Sequence, residues 1–285
     1  MLTEISFNKA SAKIDSKGAE LKSLIIDGRE IMWDSNPDYW GKSSPILFPA
    51  IGNVKNNETI ADNQKIKMPK HGFARDYDFN LIRSSKSSAA FSCDFRPSQT
   101  GFPFKCCLTI NYSIREDALF IKYNVINLDT VDMPFCIGAH PAIACNNLDK
   151  CTLEFERRET ASTPVMNLET RLFESNNRIK RLSNGTKLPL SYDMFDNDVV
   201  YFDNIKSKSV TFKEGSKTLA KISYTGFETL GLWTPAGKRA GFLCIEPWCS
   251  SDDYDDDNGI FAEKKGIQIA KPRQMKEYTM TISAK

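Results

Sequence analysis

The hydrophobic pattern of this chain has a period of two, and that constrains its fold more than any other feature. In "KCCLTINYSIREDALFIKYNVIN" (105–127), Cys106, Leu108, Ile110, Tyr112 and Ile114 share one side of an extended chain. Lys105, Cys107, Thr109, Asn111 and Ser113 share the other. Successive side chains of a strand point to opposite faces, so the alternation predicts a strand with one buried face. The polar Arg115-Glu116-Asp117 interrupts it, and Leu119, Ile121, Tyr123 and Val125 resume it, which makes the segment a β-hairpin. "LIIDGREIMW" (24–33) predicts a second hairpin, because Asp27-Gly28 supplies the positive φ angles of a type I′ turn. Residues 209–224 and 230–248 repeat the strand–turn–strand form, and "EYTMTISAK" closes the chain as another alternating strand.

Windows with a helical period are scarce. There is no βαβ unit, no Gly-rich phosphate loop, no repeat of solenoid length and no Pro/Ser-rich linker. The expectation is an all-β protein, one large antiparallel domain over 1–285 with few short helices. The balance of 38 basic against 36 acidic residues gives a net charge of +2, which excludes the basic field of a nucleic-acid or anionic-membrane binder. The start, "MLTEISFNKASAK", lacks the pattern of a secretory signal, and no apolar run reaches the ~18 residues of a membrane span. Eight cysteines without a CxxC pair read as small reduced core residues, which implies a cytoplasmic location. The acidic run "SDDYDDDNG" (251–259) lacks the ligand spacing of an EF-hand and reads as a solvated loop.

Three segments end an apolar run on a titratable residue beside Gly or Pro: "MPKHGFARD" (68–76), "CIGAHPAIA" (136–144) and "FLCIEPWCS" (242–250). They hold the chain's only two histidines, His71 and His140, together with Glu246. Strand ends and the loops after them are where a sheet presents side chains to a cavity. Taken singly, each histidine or Glu246 is as readily a hydrogen-bonded structural residue, and Arg75 or Asp198 a solvated charge. Trp248 adds an apolar ring of the kind that stacks on sugar faces. No HxH or HExxH spacing points to a metal, and no GxSxG elbow points to a nucleophilic serine.

In order along the chain, "LFPAIG", "HGFARD", "GAHPA", "FDNDVVYF" and "CIEPW" resemble the aldose 1-epimerase (mutarotase) family, in the bacterial branch near the hexose-6-phosphate epimerases. The resemblance implies a large, twisted, galactose mutarotase-like β-supersandwich with an open sugar cleft. It implies exchange of the α and β anomers of an aldose without metal or other cofactor. The partner would be a small-molecule sugar, and the protein a monomer or homodimer. By the same resemblance His140 is the general acid, Glu246 the general base and His71 a sugar-holding residue. Arg75 contacts substrate, and Asp198 of the Asp-x-x-aromatic pattern binds hydroxyls, with Asp196 the alternative if the register is off by two. Asn53, Lys70 and Trp248 complete the expected substrate-binding set.

One departure bears on the substrate. The phosphate-using branch commonly has arginine directly after the glycine of its "FPxxG" segment, where this chain reads Gly52-Asn53. Lys55 and Lys70 are the cations left, and a point charge does not reproduce a guanidinium's bidentate grip. An unphosphorylated hexose is therefore expected. The alternatives are a glucose-6-phosphate 1-epimerase-like activity, a non-catalytic carbohydrate-binding protein, or a glycoside-cleaving enzyme pairing Glu246 with Asp198. Ring opening needs a base at the anomeric hydroxyl and an acid at the ring oxygen together. A facing Glu/His pair is expected to be ionic, each charge favouring the other.

Overall fold

The computed structural model describes residues 1–284, so the final Lys285 of the expected C-terminal strand lies outside the described residues. Every pairing between the described strands is antiparallel. The largest sheet has nine strands. Its order runs from Leu172–Pro189 and Cys151–Asn167 through Ser209–Glu214, Lys217–Thr225 and Met275–Ser283 to Ala118–Asn127, Cys106–Arg115, Ser88–Phe95 and Asn80–Ser84. A second sheet carries Val200–Phe202, Thr229–Trp233, Phe242–Cys249, Ile137–Ala139 and Ile46–Leu47 in that order, with Ala142–Ala144 also on Phe242–Cys249. Leu2–Phe7, Ala10–Asp15, Glu20–Ile26 and Arg29–Glu30 form a third. The one α-helix among the described residues is Pro97–Thr100, of four residues.

The expected hairpins form. Cys106–Arg115 and Ala118–Asn127 pair from Cys106↔Asn127 to Arg115↔Ala118, and the predicted face of Cys106, Leu108, Ile110, Tyr112 and Ile114 is buried. Asp27 and Gly28 take φ of 50° and 77°, as the tight turn requires. Rings from different elements fill the space between layers: Phe48 lies 6.0 Å from Phe95 and 5.9 Å from Phe135, and Phe73 lies 5.1 Å from Phe95. Burying each such side chain contributes about 1.5–3 kcal/mol. All eight cysteines are free and most are buried, as the apolar strand patterns implied. No helix among the described residues is long and apolar enough to cross a membrane.

The acidic run departs from expectation. Its first half is core: Ser251, Asp252, Asp253 and Tyr254 are buried, and only the segment from Asp255 onward meets solvent. The charges are buried because partners meet them. Asp253 accepts from the backbone N–H of Lys55 at 2.8 Å and pairs with the buried ammonium of Lys264. Backbone bonds Phe173 N–H to Asp253 C=O and Asp255 N–H to Phe173 C=O, both 2.9 Å, tie the run to the edge strand Leu172–Pro189.

A turn that carries His71 closes over the second sheet. His71 itself has φ of 65°, and Gly72 follows at 70°. A Cβ on Gly72 would lie 2.2 Å from the Phe48 carbonyl oxygen, and Phe73 and Ala74 donate to that same oxygen at 3.0 and 3.1 Å. Glycine is therefore required both by conformation and by contact. Gly72→Ala is expected to destabilise the protein by about 3 kcal/mol or more, as strain at a left-handed position adds to the clash. Urea unfolding of the variant would read it, and a midpoint equal to the parent's would refute it.

Candidate active site

Strand register sets the site. Gly138 pairs with Trp248 and Ala142 with Cys244 in one continuous register, so His140, at the break between the two short strands, stands directly opposite Glu246. On the far side of the same strand, Gly231 pairs with Glu246 and Trp233 with Cys244. The period of two places Cys244, Glu246 and Trp248 on one face. The flanking glycines make room there. A Cβ on Gly138 would lie 2.5 Å from the Trp248 ring, and one on Gly231 2.9 Å from it.

A cleft of about 260 Å³ opens over this face. It gathers His71, Arg75, His140, Asp198, Glu246, Lys70 and Trp248, which is every sequence-expected site residue except Asn53. His140 Nε2 is 3.1 Å from Glu246 Oε2. Neither oxygen of Glu246 nor Nδ1 of His140 has an aligned hydrogen-bond partner, although all three are buried. Burial pushes the Glu246 carboxyl well above its ordinary range, with the Asp198 and Asp252 charges adding to this against Lys70 and the Trp248 indole N–H. Burial above all pulls the His140 imidazole down to about 3, with Arg75, Lys70 and Lys42 adding to this against a hydrogen bond to its own backbone. Burial thus works against the charge of each group, in opposition to the mutual attraction on which the expected ion pair rests.

His71 is fixed by Gly52 twice: it donates its backbone N–H to Gly52 C=O at 2.9 Å, and its Nδ1 accepts the Gly52 N–H at 3.0 Å. Burial, then His140, Lys70 and Arg75, hold its pKa well below the usual value. The ring is therefore neutral with its proton on Nε2, a donor available to a ligand. Arg75 is anchored by its Nη2 to the Lys70 carbonyl at 2.8 Å, and its buried Nε has Asp76 Oδ2 at 3.9 Å but no hydrogen-bond partner. Asp198 sits in a turn at φ of 66°, with Lys70 Nζ at 3.8 Å and Arg171 Nη1 at 3.6 Å. Asp196, the alternative, is exposed and outside the cleft.

Two expectations shift. The Asn53 backbone N–H and side-chain amide both donate to Asp252 Oδ1, at 2.6 and 2.8 Å, so Asn53 holds Asp252 from behind the cleft wall. Lys55 points elsewhere, donating to the Asp255 carbonyl at 2.7 Å. Trp248 is 1% exposed and stacks on Tyr201 at 5.8 Å, so no open ring face is left for a sugar. Sequence reasoning missed Trp40, Trp233 and Asp252, which all line the cleft. Trp40 could have been found from its setting, a tryptophan inside the polar, turn-rich "DSNPDYWGKSS".

His140, Cys244 and Glu246 bring possible metal-ligand atoms within 4.8 Å of one another, a cluster that no local spacing foretold. Burial, and then the Glu246 charge, push the Cys244 thiol well above its ordinary value. The thiol packs in an apolar cluster with Trp33, Ala142, Ala240 and Phe242. Thiolate is the form of cysteine that ligates, so burial of the Cys244 thiol among apolar groups works against its use as a donor.

Residues 1–266 match the family described as aldose 1-epimerase. Protein LacX of Lactococcus lactis subsp. lactis, in its plasmid form, is 29% identical over 301 aligned positions, covering 99% of each chain. A galactose mutarotase-like protein from Lactobacillus casei superposes with a TM-score of 0.92 at 26% identity, covering 99% of each chain. A galactose mutarotase related enzyme from Lactobacillus acidophilus gives 0.92 at 24% identity, covering 100% of this chain and 97% of its own, and shares the fold. With its strand order, its buried His–Glu pair and this match in place, the chain belongs to the aldose 1-epimerase family.

Proposed function

We propose that this protein is a mutarotase that interconverts the α and β anomers of a free hexose by acid–base ring opening. The observation that carries the proposal is the His140–Glu246 contact of 3.1 Å between two buried titratable groups on the floor of the cleft. A sugar's hydroxyls would give the carboxyl the hydrogen bonds that buried polar atoms almost always make. Glu246 takes the proton of the anomeric hydroxyl, the bond from C1 to the ring oxygen breaks, and His140 gives its proton to that oxygen. The open aldehyde turns about its C1–C2 bond and recloses with the two roles reversed. Sugar hydroxyls donating to Glu246 supply the hydrogen bonds that favour the carboxylate, and the imidazolium follows. His71 offers its Nε2 proton to a sugar oxygen, while Asp198, Asp252, Lys70 and Arg75 are placed to bind hydroxyls.

An unphosphorylated sugar fits the charges. Lys70 faces Asp198 at 3.8 Å, the Asn53 amide is committed to Asp252, and Lys55 lies outside the cleft. Arg75 is the one guanidinium lining the cleft among the described residues.

Three outcomes are expected. His140→Asn should lower the rate of anomer exchange by about 10²-fold or more, the worth of one positioned proton transfer. Polarimetry on freshly dissolved α-D-glucose and α-D-galactose reads it, and a near-parental rate would sink the assignment. The second concerns pH. kcat/KM reports the free enzyme, whose pair works while it holds one proton. Burial lowers His140 and raises Glu246, so that state spans the neutral range. Activity should therefore be flat through neutrality, falling in acid as a second proton binds and in alkali as the shared one leaves. A limb at the ordinary histidine value of about 6.5 would contradict this. Third, free hexoses should give higher kcat/KM than their 6-phosphates when anomer exchange is followed by NMR. The reverse order would assign the anion to Lys70 and Arg75.

A further inference from the structure

We infer that Trp40 is a positioning residue for His140: its indole, laid over the imidazole, holds that ring in the orientation from which it reaches the sugar's ring oxygen. The inference rests on the reading of His140 as the proton donor. A histidine that moves protons usually has its second nitrogen held by a carboxylate or carbonyl, which fixes the ring plane. No carboxylate or carbonyl of another residue holds the buried Nδ1 of His140. Rings surround it instead. Trp40 lies stacked at 5.0 Å and 25°, while Trp233 and His71 stand edge-on at 5.9 and 5.7 Å.

Trp40 is itself held from several sides. It stacks on Phe242 at 5.7 Å and meets Trp233 edge-on at 5.5 Å. Its segment, residues 34–44, contains neither strand nor helix, and both backbone and side-chain bonds hold it: the Trp40 N–H donates to the Asn36 carbonyl at 2.9 Å, and the Ser43 carbonyl accepts from the Ala142 N–H at 2.8 Å. The Trp33 indole donates to the Trp40 carbonyl at 2.9 Å. Lys238 Nζ donates to the Asp38 carbonyl at 2.7 Å. Glu20 accepts the backbone N–H groups of Ser43 and Ser44 at 2.6 and 3.0 Å. A loop tied down on both sides of one tryptophan presents that ring at a fixed place.

The stack has a second effect. An aromatic face favours a cation laid against it. Around His140 the charged groups are Glu246 on the strand opposite, Lys70 and Arg75 from the His71 segment, and Lys42 from Trp40's own loop. The three cations and burial disfavour the imidazolium, and a hydrogen bond to its own backbone, Glu246 and the Trp40 face oppose them while sugar is bound.

Trp40→Leu and Trp40→Phe in the full chain test the inference. Trp40→Leu should lower kcat by about 10- to 100-fold with KM changed less than about threefold, whereas Trp40→Phe, which keeps a stacking face, should recover most of the rate. A general acid is lost as pH rises past its pKa, so the alkaline limb of kcat should move down by about one unit in Trp40→Leu. Melting temperatures within a few degrees of the parent would exclude a merely structural effect. The proton spectrum of the sugar-free protein gives a readout independent of activity. With only two histidines, His140→Asn assigns the His140 ring signals, and Trp40→Leu should remove their ring-current shift. Parental kcat in Trp40→Leu, a rise in KM alone, or unmoved His140 signals would each overturn the inference. A parent that exchanges no anomers would overturn the proposed function instead, and the ring signals would still decide the stack.

Discussion

Two titratable side chains face each other across neighbouring strands with almost no water on either. Glu246 is 1% exposed and His140 6%, and their nearest atoms are 3.1 Å apart. Burying a charge without partners is among the costliest things a fold can do, and removing two at once is tolerable only if the pair stays neutral or a ligand completes it. Much of the second sheet serves that arrangement. The continuous register through Gly138, His140 and Ala142 aims the imidazole, and the glycines at 138 and 231 leave space for Trp248 beside the carboxyl. Other buried carboxylates in the chain show what a structural one looks like. Glu159 accepts from the Lys206 and Ser207 backbone and from the Ser207 hydroxyl. Glu246 accepts no such backbone hydrogen bond and faces His140 instead.

Much of this was legible in the sequence because it is local. Alternation over Cys106–Ile114 names the buried face, Asp27-Gly28 names a turn, and the match of "HGFARD", "GAHPA" and "CIEPW" to a family names the pair. What the sequence hid depends on contacts between distant segments. The acidic run reads as solvated because nothing near it shows that the Lys55 backbone will meet Asp253, or that Asn53 will hold Asp252, each some 200 positions away in the chain. The charge state of the pair is hidden for a similar reason. Attraction between two charges follows from their identities, whereas the cost of removing their water follows only from the packing around them. Trp248 is expected to stack on a sugar because it lies beside Glu246 in sequence, but the fold buries its ring against Tyr201.

The Asp252 arrangement shows how one residue choice constrains others. Gly52 must lack a side chain because a Cβ there would lie 2.1 Å from the Asp252 carboxyl. Burial raises the Asp252 pKa, and the backbone N–H of Asn53 is among the groups that oppose this. Asn53 thus supports the cleft wall from behind, through Asp252.

The scarcity of histidine also has a physical reading. Both imidazoles are buried, their centroids 5.7 Å apart, and each lowers the other's tendency to charge or is lowered by the cations they share. Two imidazolium ions at that distance would repel strongly in a medium that screens little. The structure separates their roles by occupying one nitrogen. His71 Nδ1 already accepts the Gly52 N–H, and protonating it would turn that hydrogen bond into a clash of two donors. His71 is thereby confined to donating from Nε2. His140 has no backbone N–H donating to its ring and keeps Nε2 against Glu246 at 3.1 Å.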